Sequence, residues 1–424
     1  MSAVPVSPPP APRRRRYVRP AAILGILGPG LIAANAGNDA GGIATYAEAG
    51  ALFEYRTLFI CVCVIVALVA VQEMAARVGA YSGEGLMSLV REQFSLRLGA
   101  FAVCCLLVAN LGLVVSEFAG IGAALEIFGV SRYVSVPIAV VVILGVVLFG
   151  SYRYAERVFL VLSLVFLTYP VAMILADPDW GDVVSNALIP HFVADRDFLL
   201  IAVALVGTTI TPYMQLYQAA AVADRGIGPE DYRNERIDAV FGALFAGFIF
   251  VSVLIATAAT IGGTGGITSA ANAAQALEPV AGQRAEALFA IGLLGASMLA
   301  AAIVPLSTAY GLAEAVGAER SVSRRFREAP LFLGLFTAQV LIGAAVALIP
   351  VNLIDLLVSM QILNGFITPV ILVILFVLTS RPAVVGDAVN GPRLRVFAFV
   401  CVVAVSVLAV SVLGLTVAGW LGLA

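Results

Sequence analysis

Residues 36–50 read Ala-Gly-Asn-Asp-Ala-Gly-Gly-Ile-Ala-Thr-Tyr-Ala-Glu-Ala-Gly, and the way this stretch is read decides the fold. It sits inside an apolar run from about residue 21 to residue 50, downstream of Gly28-Pro29-Gly30. A run of that length crosses a hydrocarbon core about 30 Å thick at about 1.5 Å per residue. Gly37, Gly41, Gly42, Asn38 and the ionisable Asp39 fall near its middle, where each weakens a helix. The sequence therefore predicts an unwound segment over Asn38, Asp39, Ala40 and Gly41. Backbone freed at membrane depth must be buried in protein or line a wet cavity, and an intramembrane Asp marks a functional site by default. A plainer reading, Asp39 as a structural cap held by backbone N–H groups, stands beside it.

The rest of the chain supports a membrane setting. Of 424 residues, 61% are hydrophobic and 12% charged, and the mean hydropathy is +1.04. That leaves too little polar surface to clothe a soluble domain of this size. The alternating decapeptides of a membrane barrel are absent, so helices are expected. Apolar runs predict spans at 21–50, 57–79, 98–128, 133–150, 157–176, 198–222, 237–262, 285–316, 329–349, 353–379 and 396–421, eleven in all. All 24 basic residues are Arg, and a cytoplasmic N-terminus puts twenty of them inside; Arg56, Arg132, Arg196 and Arg284 are left outside. This asymmetry orients the protein in the inner membrane with its C-terminus outside.

A second break lies at 207–218, Gly-Thr-Thr-Ile-Thr-Pro-Tyr-Met-Gln-Leu-Tyr-Gln. Pro212 removes a donor in mid-span and frees carbonyls in the preceding turn, which become available as oxygen ligands. A merely structural kink is the alternative for Pro212 taken alone. Spans one and six open two halves of five spans, and broken helices at matched positions of two halves point to a binding site in an inverted-repeat transporter. Five being odd, the second half is inverted. The expected organisation is a disordered basic tail over 1–20 and a transmembrane domain over 21–424. Within that domain the first repeat covers about 21–176, the second about 198–379, and an extra helix about 396–421. The tail lacks an apolar core and is not a cleavable signal on its own.

Cys61, Cys63, Cys104, Cys105 and Cys401 all fall in predicted spans and are read as small apolar fillers. The single histidine, His191, is given no role. There is no His pair of a metalloprotease helix, no Gly-x-Ser-x-Gly elbow and no second carboxylate close to Asp39 in sequence, so no enzyme is expected. Transport of an amine or amino acid, with Asp39 as counter-ion, and metal sensing without transport remain open.

Several motifs carry a family resemblance. Asp39-Ala40-Gly41-Gly42 precedes Ile43-Ala44-Thr45 and Ala49-Gly50-Ala51. Ala75-Ala76-Arg77-Val78-Gly79 closes span two, Ser116-Glu117-Phe118-Ala119 lies in span three, Pro178-Asp179-Trp180-Gly181 follows span five, and Gln361 lies in span ten. With these the chain resembles the NRAMP family of divalent-metal transporters and its bacterial NRAMP-related branch, over nearly its whole length. The resemblance implies an all-α, LeuT-like fold of five plus five inverted spans with an eleventh appended and helices one and six unwound. It also implies a metal site at Asp39, Gly42, Thr208, Thr211 and Gln361.

The departures from the family pattern bear on the cargo. The family's Asn partner of Asp39 falls at Gly42, and its Met-Pro-His-Asn motif falls on Thr211-Pro212-Tyr213-Met214. Loss of the thioether removes a bias towards softer metals, and fewer protein ligands leave more water on the ion, which suits Mg²⁺. The expected cargo is Mg²⁺ or Mn²⁺, carried as substrate with no cofactor. Asp39 supplies charge, the carbonyl at Thr208 a contact, and Thr211 a direct or water-mediated oxygen. The His position is Tyr213 and the family's acidic pair is reduced to Glu117, which places proton coupling in doubt; Glu117 is either a proton relay with Asp39 or a neutral packing residue. Glu73 is expected to pair with Arg77 across one helical turn. The expected partners are the ion and the lipid bilayer, with no nucleic acid, and the expected state is a monomer.

Overall fold

In lipid an apolar segment satisfies its backbone hydrogen bonds internally only as a helix, and helices make up this chain. The computed structural model describes residues 39–148, 164–191, 193, 195–317 and 329–420. The helices that matter here are α1 (Ala40–Phe53), α2 (Leu58–Ser82), α3 (Leu86–Gln93), α4 (Leu96–Glu126), α5 (Arg132–Leu148), α6 (Tyr169–Leu175), α7 (Trp180–Leu188), α8 (Arg196–Thr209), α9 (Pro212–Asp224), α10 (Tyr232–Ile261), α11 (Ala285–Val316), α12 (Pro330–Ala347), α13 (Leu353–Thr379) and α14 (Pro392–Trp420). Among the described residues eight helical stretches are long and apolar enough to cross a membrane, and two shorter apolar ones run over Arg132–Leu148 and Leu164–Leu175. Gly28-Pro29-Gly30, Asn38 and the start of the fifth span lie outside the described residues, and the count of eleven depends on them.

The break in the sixth span is described on both sides, the first span only from Asp39 onward. There Ala40 and Gly41, expected to be unwound, are already helical because the Asp39 cap starts the helix directly after it. Asp39 is the N-cap of α1, in extended conformation, and its Oδ1 accepts a hydrogen bond of 2.6 Å from the Gly42 N–H. The helix therefore starts directly after the Asp, with the Asp itself satisfying one of the unpaired donors of the first turn. The sixth span is two helices. α8 stops at Thr209, Ile210 takes φ −114° and ψ 59°, Thr211 is extended, and α9 starts with Pro212 at its first position. Pro212 explains each of these. It pushes the residue before it out of the helical region, it is pre-shaped for a helix start, and it has no N–H to offer the Thr208 carbonyl four residues back.

Helices in lipid gain little from hydrophobic exclusion and associate through close packing of small residues. A Cβ added to Gly50 of α1 would stand 2.5 Å from the Leu254 carbonyl of α10, and one on Gly79 of α2 would stand 2.4 Å from the Ala219 carbonyl of α9. So α1 rests on α10 as α9 rests on α2. The tightest approach joins α8 to α13. A Cβ on Gly207 would lie 2.1 Å from the Gln361 carbonyl, and one on Gly365 would lie 2.2 Å from the Val203 carbonyl. α4 runs through the centre against α5, α11, α12 and α13. The far end of α1 is tied by the 262–268 loop: the Gly263 N–H donates to the Ala51 carbonyl at 2.9 Å and the Ile267 N–H to Glu48 Oε2 at 2.7 Å. Gly263, Gly265 and Gly266 all have positive φ there, a conformation that favours glycine.

The expected Glu73–Arg77 pair forms, buried, inside a larger knot. Glu73 also accepts from the Tyr232 hydroxyl of α10. Arg77 donates to the Ala388 carbonyl and to Asn390 Oδ1, both at 3.0 Å, reaching the segment between α13 and α14. All five thiols are free.

Two consequences are testable by thermal melting in detergent. Gly365→Ala forces a methyl into the Val203 carbonyl and is expected to cost about 1–3 kcal/mol, the usual price of overpacking. Arg77→Ala leaves the buried Glu73 carboxylate with only the Tyr232 hydroxyl and the Arg236 guanidinium 3.7 Å away and is expected to cost up to about 3 kcal/mol, whereas Glu73→Leu/Arg77→Met, which removes both charges, costs less.

Candidate metal site

The site forms where the start of α1 meets the break between α8 and α9, with α4 and α13 closing its sides. Asp39 is 1% exposed. One oxygen caps α1, while Oδ2 is buried and makes no hydrogen bond. The cap reading of Asp39 is met by Oδ1, and Oδ2 is left for a ligand.

Three glycines make the close approaches. A Cβ on Gly41 would fall 1.9 Å from Gln361 Nε2 of α13 and 2.7 Å from Ser116 Oγ of α4, so only a glycine admits these two side chains to the start of α1. A Cβ on Gly120 would fall 2.5 Å from that of Ala40 and 2.4 Å from Ser297 Oγ of α11. Gly42 is flanked by Asp39 Oδ1 and the ring of Phe250. Glu117, fully buried on α4, lies within electrostatic reach of Asp39 and faces the Ala40 N–H and Ser297. Tyr213, at the start of α9, interacts with both carboxylates and lies beside Thr211.

The polar atoms left over define the chemistry. Among the described residues Asp39 Oδ2, the hydroxyls of Ser116 and Thr208, and both amide atoms of Gln361 are buried without a hydrogen-bond partner, while Glu117 is met only by the Ala40 N–H and Ser297, and Thr211 by Tyr213. Each such atom costs about 1–3 kcal/mol if nothing meets it, and buried polar groups in proteins are ordinarily satisfied by protein, water or an ion. The Thr208 carbonyl joins this set because its helical donor would be Pro212. The Ile210 carbonyl lies 3.2 Å from the Thr368 hydroxyl, which it shares with the Asn364 carbonyl at 2.8 Å. Carbonyls at the C-terminal end of α8 also carry the negative end of its dipole, which favours a cation.

Among the described residues no three His, Cys, Asp or Glu side chains gather as a metal cluster. The donors that do gather are two carboxylates, hydroxyls, a carbonyl and an amide. Oxygen donors of this kind suit Mg²⁺, Ca²⁺ and Mn²⁺.

The structure thus brings together Asp39, Ala40, Gly41, Gly42, Glu117, Tyr213 and Gln361, with Thr211 beside Tyr213 and Thr208 next to the Gly207–Gln361 contact. Asn38 lies outside the described residues. Sequence reading did not single out Ser297, Phe250 or Tyr46. Ser297 is one small polar residue in an apolar helix, and the two aromatics look like any others in a span.

Known proteins place this geometry in a family. Residues 30–414 match the model of the family described as natural resistance-associated macrophage protein-like, Nramp. The chain is similar to the divalent metal cation transporter MntH of Aeromonas hydrophila, 25% identical over 380 residues, with 87% of this chain and 90% of that one covered. It is similar also to MntH of Deinococcus radiodurans, 26% identical over 404 residues, with 90% and 88% covered. The crystal structure of the Eremococcus coleocola manganese transporter superposes with a TM-score of 0.74 at 22% identity, covering 95% of this chain and 88% of that one. Mhp1 in its inward-facing conformation superposes at 0.55 with 16% identity, covering 82% and 76%, which extends the likeness to the wider LeuT-like fold. With a match running from residue 30 to residue 414, the chain belongs to the Nramp family.

Proposed function

We propose that this protein is a carrier, not an enzyme, and moves a hard divalent cation, Mg²⁺ or Mn²⁺, across the membrane with part of its water retained. The observation that carries this reading is the set of buried, unpartnered oxygens around Asp39 Oδ2. The names of the relatives and of the similar structure, divalent metal cation transporters and a manganese transporter, point the same way. Glu117 lies within electrostatic reach of Asp39, and two buried carboxylates stay ionised together only where positive charge meets them. A divalent ion supplies it in one step. Thr208 contributes its carbonyl, while Thr211 and Gln361 meet the ion directly or through its water.

Alternating access follows from the two breaks, with one group of helices rocking about the fixed site. Every residue of the site comes from one chain, so a monomer suffices. The Arg distribution supports a cytoplasmic N-terminus. Proton coupling has weak support: among the described residues the site holds no histidine, and Glu117 is explained by sharing the charge of the ion.

The test uses the full-length protein in liposomes loaded with Mg²⁺- or Mn²⁺-sensitive dye and a second dye for internal pH. Both ions are expected to enter with internal pH flat, and Asp39→Ala to abolish entry of both. Absence of flux for either ion in the wild type overturns the proposal and favours amine transport or metal sensing; acidification that tracks metal entry overturns the uncoupled reading. Pro212→Ala, which lets an N–H reach the Thr208 carbonyl, is expected to lower uptake by about 10- to 100-fold, the range seen when the support of a metal site is disturbed, without unfolding the protein.

A further inference from the structure

One wall of the site is apolar and rigid. A Cβ on Gly42 would stand 2.8 Å from Cε1 and 3.1 Å from Cζ of Phe250, and 3.0 Å from Asp39 Oδ1. A side chain at this position would therefore leave the helix beside the Asp39 carboxylate, on the side of its capping oxygen, and the edge of the Phe250 ring blocks its first atom. The ring has nowhere to go. It stacks on Tyr46 with centroids 4.6 Å apart and planes 2° from parallel, and both rings are buried to 1% exposure or less. The Tyr46 hydroxyl is 2.8 Å from Thr209 Oγ1. Thr209 gives its one hydroxyl hydrogen to the Leu205 carbonyl at 2.6 Å, so Tyr46 is the donor. This chain of contacts fixes Phe250 of α10 to α1 and to the end of α8, the two elements that carry the site.

We propose that Phe250 is a specificity-determining residue that keeps the position beside Asp39 free of protein ligands, so that the ion holds water on that side. The proposal rests on the carrier reading above and adds a named determinant to it. Mg²⁺ gives up water reluctantly, and a site that leaves water in place on one side admits it. A protein oxygen introduced there requires one more dehydration, which handicaps Mg²⁺ relative to Mn²⁺.

The test separates space from ligation. Uptake of Mg²⁺ and Mn²⁺ is measured in the same liposomes for Gly42→Ala, Gly42→Ala/Phe250→Leu and Gly42→Asn/Phe250→Leu, each checked for folding by its melting profile. Leu lacks the two ring atoms that meet the new Cβ. Gly42→Ala is expected to lose uptake of both ions. Gly42→Ala/Phe250→Leu is expected to regain it at the wild-type ratio, and Gly42→Asn/Phe250→Leu to regain it with the Mn²⁺ to Mg²⁺ ratio raised by about tenfold or more. Gly42→Ala carrying both ions at the wild-type rate overturns the proposal, as does a folded Gly42→Asn/Phe250→Leu with an unchanged ratio. If the double variants do not fold, Gly42→Ala alone decides: loss of uptake in the folded protein sustains the steric wall, and retention removes it. Wild type and Asp39→Ala run alongside, so a missing Asp39-dependent flux counts against the carrier reading itself rather than against Phe250.

Discussion

A carboxylate held at 1% exposure inside a helical bundle sets the terms for everything around it. Water would solvate both oxygens of Asp39; here one is met by the Gly42 N–H and the other by none of the described residues. Leaving a charge in that position is costly unless something arrives to meet it. The broken helices, the glycines that let Ser116 and Gln361 come close, and the second carboxylate at Glu117 are all arrangements about that half-satisfied group. Removing any one of them changes how the unmet oxygen is answered.

The break before Pro212 and the helix start at Asp39 were legible in the sequence because the chemistry allows little else. Asp, Asn and three glycines within a run otherwise fit for lipid, and a Pro flanked by Thr, allow few conformations. Asp39 and Pro212 could therefore be singled out from residue type alone, whereas Gln361 was reached only through the family resemblance. The proximity of Glu117 to Asp39 depends on how α4 crosses α1, which no local pattern records. Ser297 and Phe250 were illegible for a different reason. Hydroxyls in membrane helices commonly donate to the carbonyl one turn back, as Thr308 does to Val304 and Thr257 does to Val253. Ser297 looks the same on paper, and only its packing shows that it has no such partner.

Glycine carries two distinct jobs here. In the 262–268 loop it supplies backbone angles that other residues rarely adopt. At 41, 42, 50, 79, 120, 207 and 365 it supplies the absence of a side chain within a helix. In water such glycines would weaken the helices that contain them. In lipid they are what allows helices to touch at all, because association there depends on close contact.

The meeting of α8 and α13 at Gly207 and Gly365 has a mechanical consequence. Side chains between two helices act as a cushion, and rotamer changes let the helices slide by fractions of an ångström. Here the backbones abut with no cushion on either side. Such a joint behaves like meshed teeth: the two helices either travel together as one beam or jump by a whole step, about 1.5 Å per residue along the axis. Any change of angle between α8 and α9 then falls on the two-residue gap of Ile210 and Thr211, where the helical hydrogen bonds are interrupted.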